Sequence, residues 1–308
     1  MLKYLKDDYL DAEVSYLIGL IVARGTLTDQ AGDRRITIEI PTSALEGKGI
    51  KLIFDQDVYS RLALSDLRDR LNELLDTDIS ISRKPNGADL VIRFRRNVLA
   101  WRDIILILNH QTSFPYFQVP EIFFQPDIPI DWKRAFMTGY ADVAGNIRTS
   151  NVYVDGRHRV RLDVLNYPTN WKIPVQLCTL LQEHLNIAVQ NITWGHPNLG
   201  RGFREHQINI FADDFLPIGF TFEYKSQILT ELGALNKQHK PTSEAKPCPG
   251  MRQIRKVKEA STDEHNAEKL ASELVGFHAD SYWQICKKLG CKRIPLGTPS
   301  EALDEDIL

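Results

Sequence analysis

Two stretches of the chain are apolar nearly all round, and each is followed by short runs in which apolar and polar residues alternate. Glu13 to Ala23 (EVSYLIGLIVA) has almost no polar face, which predicts a helix buried on most of its surface. Arg35 to Ile40 then alternates strictly, as a half-buried strand does: Ile36, Ile38 and Ile40 share one face, and Arg35, Thr37 and Glu39 the other. A second strand is expected around Lys51 to Phe54. From Ser60 to Leu75, the residues Leu62, Leu64, Leu67, Leu71, Leu74 and Leu75 recur at helical intervals. Asp78 to Arg83 and Asp89 to Arg95 straddle the turn Pro85-Asn86-Gly87 and predict a hairpin. Asn97 is placed to cap a helix that ends near Leu108.

The same order then returns. A linker rich in proline and aromatic residues, Gln111 to Pro129, leads to Asp131 as an expected N-cap and a helix over Trp132 to Val143. Strands follow near Asn146 to Val154 and His158 to Leu165. The next helix, Trp171 to Leu185, must hold Pro174 in its first turn, where the missing N–H costs nothing. Strands near Ile187 to Trp194 and Glu205 to Phe211 and a helix from Glu223 to Leu235 complete the set. The predicted class is α+β, with two pseudo-symmetric αββαββα repeats. The first covers residues 1–110, a linker 111–130, the second repeat 131–236, and a tail 237–308 begins with a break containing Pro241, Pro247 and Pro249 among lysines.

In register, Leu17-Ile18-Gly19-Leu20-Ile21-Val22-Ala23-Arg24-Gly25 lies over Met137-Thr138-Gly139-Tyr140-Ala141-Asp142-Val143-Ala144-Gly145. Gly19 and Gly139 carry no side chain, so two such helices can pack with their backbones in close approach. Gly25 and Gly145 are expected to end them in the left-handed conformation. Two helix C-termini would then sit side by side.

These segments resemble the LAGLIDADG homing endonucleases, in the form that carries two motifs on one chain. The resemblance runs from about Glu13 to Leu235 and is more specific in the second half, through IPIDWKRAFMTGYADVAGNI, LCTLLQEHLNI and INIFADDFLPIGFTFEYKSQIL. It implies a saddle of two four-stranded sheets whose exposed face follows the major groove. It also implies an acidic residue before each closing glycine, where a pair of carboxylates binds divalent metal. Those positions here are Arg24 and Ala144. Neither ligates Mg²⁺, and an arginine repels it. Asp142, the only carboxylate in either motif, stands two residues early, about 200° around the helix. It is read as a structural group hydrogen-bonded near the helix end, with a residual metal role as the alternative. The resemblance also implies a basic residue at the start of each repeat's last helix, matched by Lys225 and Arg102. Either these are solvated first-turn charges, or they form with Arg24 a cationic seam against phosphate. Any catalysis would rest on Asp142, Lys225 and Arg102.

A formal net charge of −2 argues against a nucleic-acid partner, but its distribution does not. Ser80 to Arg96 carries Arg83, Lys84, Arg93, Arg95 and Arg96 against Asp89, and Gly145 to Arg161 carries Arg148, Arg157, Arg159 and Arg161 against Asp155. Arg93 and Arg95 oppose Ile92 and Phe94 across their strand; Gln207 and Asn209 likewise oppose Ile208 and Ile210. Arginine pairs two-pronged with guanine, and Asn or Gln with adenine. The expected DNA-reading set is therefore Arg24, Arg35, Thr37, Glu39, Arg83, Lys84, Arg93, Arg95, Arg148, Arg157, Arg159, Arg161, Gln207 and Asn209. The plain alternative is the polar outer face of any half-buried antiparallel sheet.

In the tail, Ala245 to Lys258 is basic without an acid, which suits either a backbone-tracking segment or a solvated linker. A helix over Asp280 to Leu289 would be stopped by Gly290, with Cys286 and Cys291 meeting across the cap. With Cys248 and His278 they could instead make a Cys₃His site for structural Zn²⁺. Cys178 reads as core. Four cysteines in a chain of this length suggest reduced thiols and a cytoplasmic location. There is no signal-peptide pattern and no apolar run of the roughly 18 residues that a membrane span requires.

The expected function is sequence-specific binding of double-stranded DNA by a monomer, without metal-dependent cleavage. A protein partner would supply any nuclease or regulatory activity. Two alternatives stand beside it. One is a site-specific endonuclease of homing or restriction type, using Mg²⁺ with carboxylates displaced to Glu13, Asp142 or Asp155. The other is an RNA-binding splicing cofactor.

Overall fold

The computed structural model describes residues 9–30, 32–45, 56–95, 98–113, 115–153, 156–165, 172–198 and 203–238. The first repeat comprises α1 (Ala12–Arg24), β1 (Gly25–Gln30), β2 (Asp33–Pro41), the single turn α2 (Thr42–Leu45), α3 (Gln56–Leu75), β3 (Asp78–Lys84), β4 (Gly87–Arg93) and α4 (Val98–Ile107). The second comprises α5 (Ile130–Ala144), β5 (Gly145–Val152), β6 (His158–Val164), α6 (Lys172–Thr179), β7 (Asn191–Asn198), β8 (Phe203–Phe211), the single turn α7 (Ala212–Phe215) and α8 (Glu223–Gln238). The αββαββα order is thus present twice, and the two four-stranded sheets share one topology, β1-β2-β4-β3 and β5-β6-β8-β7.

Local chemistry accounts for most of these elements. Asp11 starts α1 by accepting the Val14 N–H at 2.7 Å, an N-cap that the apolar run had concealed. From Val14 to Arg24 every residue of α1 is buried, as its all-round apolarity predicts. On β2, Ile36, Ile38 and Ile40 are fully buried while Arg35, Thr37 and Glu39 are partly exposed. Ile36 and Ile38 lie opposite Ile92 and Leu90 of β4, so alternation and register agree.

Several expectations need correction. Asp131 is not the N-cap of α5; the cap is Pro129, and Asp131 lies in the first turn, where it pairs with Arg134 at 3.1 Å. Gly25 and Gly145 are not left-handed. Their φ values are −86° and −85°, and each begins a strand directly. Glycine is required there for space, because a Cβ would come within 2.6 Å of Ile21 O and 2.4 Å of Ala141 O respectively. The single helix expected up to Leu185 is divided: α6 ends at Thr179, and Leu180–His184 form a π-turn. Leu62, expected on the packed face of α3, is 53% exposed. The strand expected at Lys51 to Phe54 and the cap at Asn97 fall outside the described residues.

The compact units do not follow the repeat boundary. The first takes the chain up to Asn146 together with Pro217–Ile228, and the second takes Ile147–Leu216 and the chain from Leu229 on. The first unit therefore contains α5, because α5 packs on α1. A Cβ on Gly19 would lie 2.0 Å from Phe136 O, and one on Gly139 would lie 2.1 Å from Tyr16 O, so the two helices touch backbone to backbone at both glycines. In the second unit, Asn236 grips the start of β6. Its Oδ1 accepts the His158 N–H and its Nδ2 donates to His158 O, each at 2.7 Å, and the same amide nitrogen reaches Asp213 at 2.8 Å. Among the described residues, no helix is long and apolar enough to cross a membrane.

Candidate nucleic-acid interface

The ends of α1 and α5 are held by cations. Arg24 is buried, and its Nε donates to Val143 O at 3.0 Å, on the last turn of the opposite helix. Lys225, near the start of α8, is buried as well. Its Nζ donates to Asp142 O at 2.7 Å and to Gly145 O at 3.0 Å, and lies 5.0 and 5.4 Å from the ring centres of Phe220 and Phe222. Carbonyls at a helix C-terminus carry partial negative charge and lack intrahelical donors, so both cations sit where they are stabilised.

Asp142 points into the same cluster. It is fully buried; Oδ2 accepts the Tyr16 hydroxyl at 2.7 Å, and Oδ1 accepts the Thr221 N–H at 3.0 Å. Burial pushes its carboxyl above the ordinary value, and the Lys225 charge and the hydrogen bonds from Tyr16 and Thr221 oppose that shift. The Tyr16 hydroxyl is pushed well up by burial and by the neighbouring Asp142. Outside it, Arg70 stacks 3.9 Å over the Tyr16 ring and forks onto Glu13 at 2.6 and 2.8 Å.

These residues do not fit a divalent ion. Arg24 and Ala144 offer no ligand, both Asp142 oxygens are engaged in a closed cluster, and Glu13 is occupied by Arg70. Among the described residues, no group of three acidic, histidine or cysteine side chains is arranged to hold a metal. Asp155 and the four tail residues Cys248, His278, Cys286 and Cys291 lie outside the described residues. Cys178 is buried, and desolvation raises its thiol.

The cationic seam expected of Arg24, Arg102 and Lys225 takes a different form. Arg24 and Lys225 cap α5 and are buried. Arg102 is half exposed, with its guanidinium 2.8 Å from buried Asp103, the next residue on α4. In this structure both buried cations face helix-end carbonyls.

On the first sheet, β2 and β4 align Arg35 with Arg93, Thr37 with Val91 and Glu39 with Asp89. Arg83, Lys84 and Arg95 are exposed but paired, with Asp57 at 3.2 Å, Asp89 at 2.5 Å and Asp78 at 3.9 Å. The Asp89 carboxylate holds the Lys84 ammonium above its ordinary value. Arg35 and Arg93 instead donate to hydroxyls, Thr28 Oγ1 at 2.9 Å and Ser80 Oγ at 3.0 Å.

On the second sheet, alternation assigned the face correctly but not its exposure. Arg159, Gln207 and Asn209 stand opposite the apolar row of Val160, Ile208 and Ile210, yet they are only 2%, 7% and 1% exposed. They are therefore not open to a groove in this structure. Arg159 lies 5.6 Å from the Tyr153 ring centre, and Arg157 stacks 3.6 Å over Phe211. Arg148 and Arg161 are partly exposed. Sequence reasoning missed Tyr16, Arg70 and Thr221. The one available signal was a tyrosine one turn before Gly19 in an otherwise apolar helix, since a buried hydroxyl needs a partner.

No protein-family model matches the chain, and no curated protein matches it. Among solved structures, it is similar to full-length DUF199/WhiA from Thermatoga maritima at 14% identity and a TM-score of 0.42, covering 99% of this chain and 93% of that one. It is also similar to the N-terminal LAGLIDADG domain of DUF199/WhiA at 13% identity and a TM-score of 0.39, over 71% of this chain and 84% of that one. Mesophilic variants of the homing endonuclease I-DmoI align at 15% identity and a TM-score of 0.40, over 67% and 87%. Scores of this size transfer no function. The LAGLIDADG-like architecture of this chain rests on its own geometry: a helix pair packed through Gly19 and Gly139, and two sheets of one strand order.

Proposed function

We propose that this chain binds double-stranded DNA in a sequence-dependent manner through the outer faces of its two sheets and does not cut it. The observation that carries the reading is arginine at outward positions on both sheets, Arg35 and Arg93 on one and Arg148 and Arg161 on the other. The missing cleavage follows from α1 and α5 closing on Arg24 and Ala144, with Asp142 sealed among Tyr16, Thr221 and Lys225. Phosphate contacts fix register on a duplex and base-edge contacts specify sequence, so a face that carries arginines beside carboxylate-paired basic residues suits selective binding of moderate strength. The protein acts as a monomer, and any nuclease or regulatory step belongs to a partner protein.

Selection from a random duplex pool, with cleavage products assayed plus and minus Mg²⁺ or Mn²⁺, tests both halves of this reading. The expected result is an enriched sequence whose affinity falls steeply with salt, by roughly 0.9 log unit per log unit of salt for each neutralised phosphate, with no strand cut. Structured RNA should compete poorly. Failure to enrich any duplex at low salt defeats the binding claim. Metal-dependent nicking that Asp142→Asn abolishes defeats the claim of silence.

A further inference from the structure

We propose that Arg35 and Arg93 form a matched pair that reads two guanines in the major groove and sets the sequence preference of the first sheet. This rests on the DNA-binding reading above and deepens it by assigning the bases that this pair would read and the donor edge each arginine would use.

The two arginines are directly opposed across β2 and β4, and the row continues to Thr28 on β1 and Asp78 on β3. On its other side Arg93 faces Asp78, whose carboxylate lies 3.9 Å from the Arg95 guanidinium. Neighbouring basic residues are neutralised: Arg34 by Asp29 at 3.1 Å, Arg83 by Asp57, Lys84 by Asp89 and Arg95 by Asp78. Among the described residues, Arg35 and Arg93 have hydroxyl partners in place of carboxylates.

Those hydroxyl bonds orient each guanidinium and leave it a complete donor fork. Arg35 donates through Nε to Thr28 Oγ1, which leaves the end-on pair Nη1 and Nη2. Arg93 donates through Nη1 to Ser80 Oγ, which leaves the side-on pair Nε and Nη2. A two-pronged donor edge matches O6 and N7 of guanine and no other base in the major groove. Holding the side chain in place beforehand removes part of the entropy cost of binding. At the other end of the same face, Glu39 opposes Asp89, which disfavours guanine O6 and N7 and any phosphate. The face is therefore polarised, with guanine recognition at the Arg35–Arg93 end.

The test repeats the duplex selection with Arg35→Lys, Arg93→Lys and the double variant, each of which keeps the charge and, by thermal melting, the fold. The wild-type protein is expected to enrich two guanines at a fixed spacing. Each single variant loses the preference at one of them, so that replacing that guanine by adenine weakens wild-type binding by about 10-fold or more and variant binding hardly at all. The slope of log affinity against log salt stays unchanged, because base contacts release no counterion. Thr28→Val and Ser80→Ala should weaken the same preferences by smaller factors. If the variants select the wild-type sequence, or if Arg35→Ala and Arg93→Ala lose affinity uniformly with a slope shallower by about one, the pair does not read guanine, although DNA binding stands. If the wild-type protein enriches no duplex at all, both readings fall together.

Discussion

Gly19→Ala is expected to cost about 3 kcal/mol or more of stability, because it drives apart the helix pair at the centre of the first unit. The added methyl would lie 2.0 Å from Phe136 O and 2.8 Å from Tyr140 N. Both are backbone atoms of α5, so no side chain can rotate out of the way and a whole helix must shift. Interiors packed at crystal density absorb such a shift poorly. Gly139→Ala meets Tyr16 O and Leu20 N from the opposite side and should cost a similar amount. Because one displacement relieves both contacts, the double variant should fall well short of the sum. Gly233→Ala serves as the contrast. Its methyl meets the Leu216 side chain at 3.1 Å and Asp213 Cα at an ordinary 3.5 Å, and alanine favours a helix interior over glycine. Urea melts of the four variants and the wild-type protein decide the matter. A Gly19→Ala midpoint equal to that of the wild-type protein would mean that α1 and α5 do not pack through their glycines.

Lys225→Met should be comparably damaging, at about 3–5 kcal/mol, since it leaves a buried carboxyl and two helix-end carbonyls without their cation. Methionine fills the volume but donates nothing to Asp142 O or Gly145 O. pH offers an independent readout. Burial raises the Asp142 carboxyl above its ordinary 3.8, so the folded state holds that proton more tightly than the unfolded chain does. The stability linked to it is complete below about pH 3.8 and is lost as pH rises through the folded value. Lys225 opposes the shift, so its removal should widen the window and steepen the decline. Asp142→Asn in the Lys225→Met background removes the buried charge and should recover part of the loss, giving a clear coupling in a double-mutant cycle. Additive effects would show that the two groups do not interact.

The glycine-marked helices and the alternating strands were legible because each depends on local periodicity. Ile36, Ile38 and Ile40 face inward for the same reason that they alternate in sequence. What covers a face is a tertiary fact, and no periodicity encodes it. Arg159 and Asn209 were assigned to the correct side of their strands, yet they are buried. Arg83 meets Asp57 across 26 residues of chain, and Glu13 meets Arg70 across 57. Such pairings convert an apparent basic stripe into a mostly neutral one that leaves Arg35 and Arg93 distinct. The helix-end residues were legible as identities and not as roles. Arg24 and Lys225 read as charges for phosphate, and the sequence could not show that α5 brings its last-turn carbonyls within their reach.

The placement of α5 in the first unit also bears on how such a chain can be inherited. A repeat in the sequence is an invitation to treat each copy as a portable module, one that a gene rearrangement could delete, exchange or express alone. Here the first copy shares its compact unit with parts of the second. Cut at the linker, it would lose the helix that covers Gly19; cut before Pro217, it would lose Thr221 and Lys225 from the helix ends. The residue at position 24 of one motif therefore meets a backbone carbonyl of the other, so the two copies are joined at their ends as well as at their glycines.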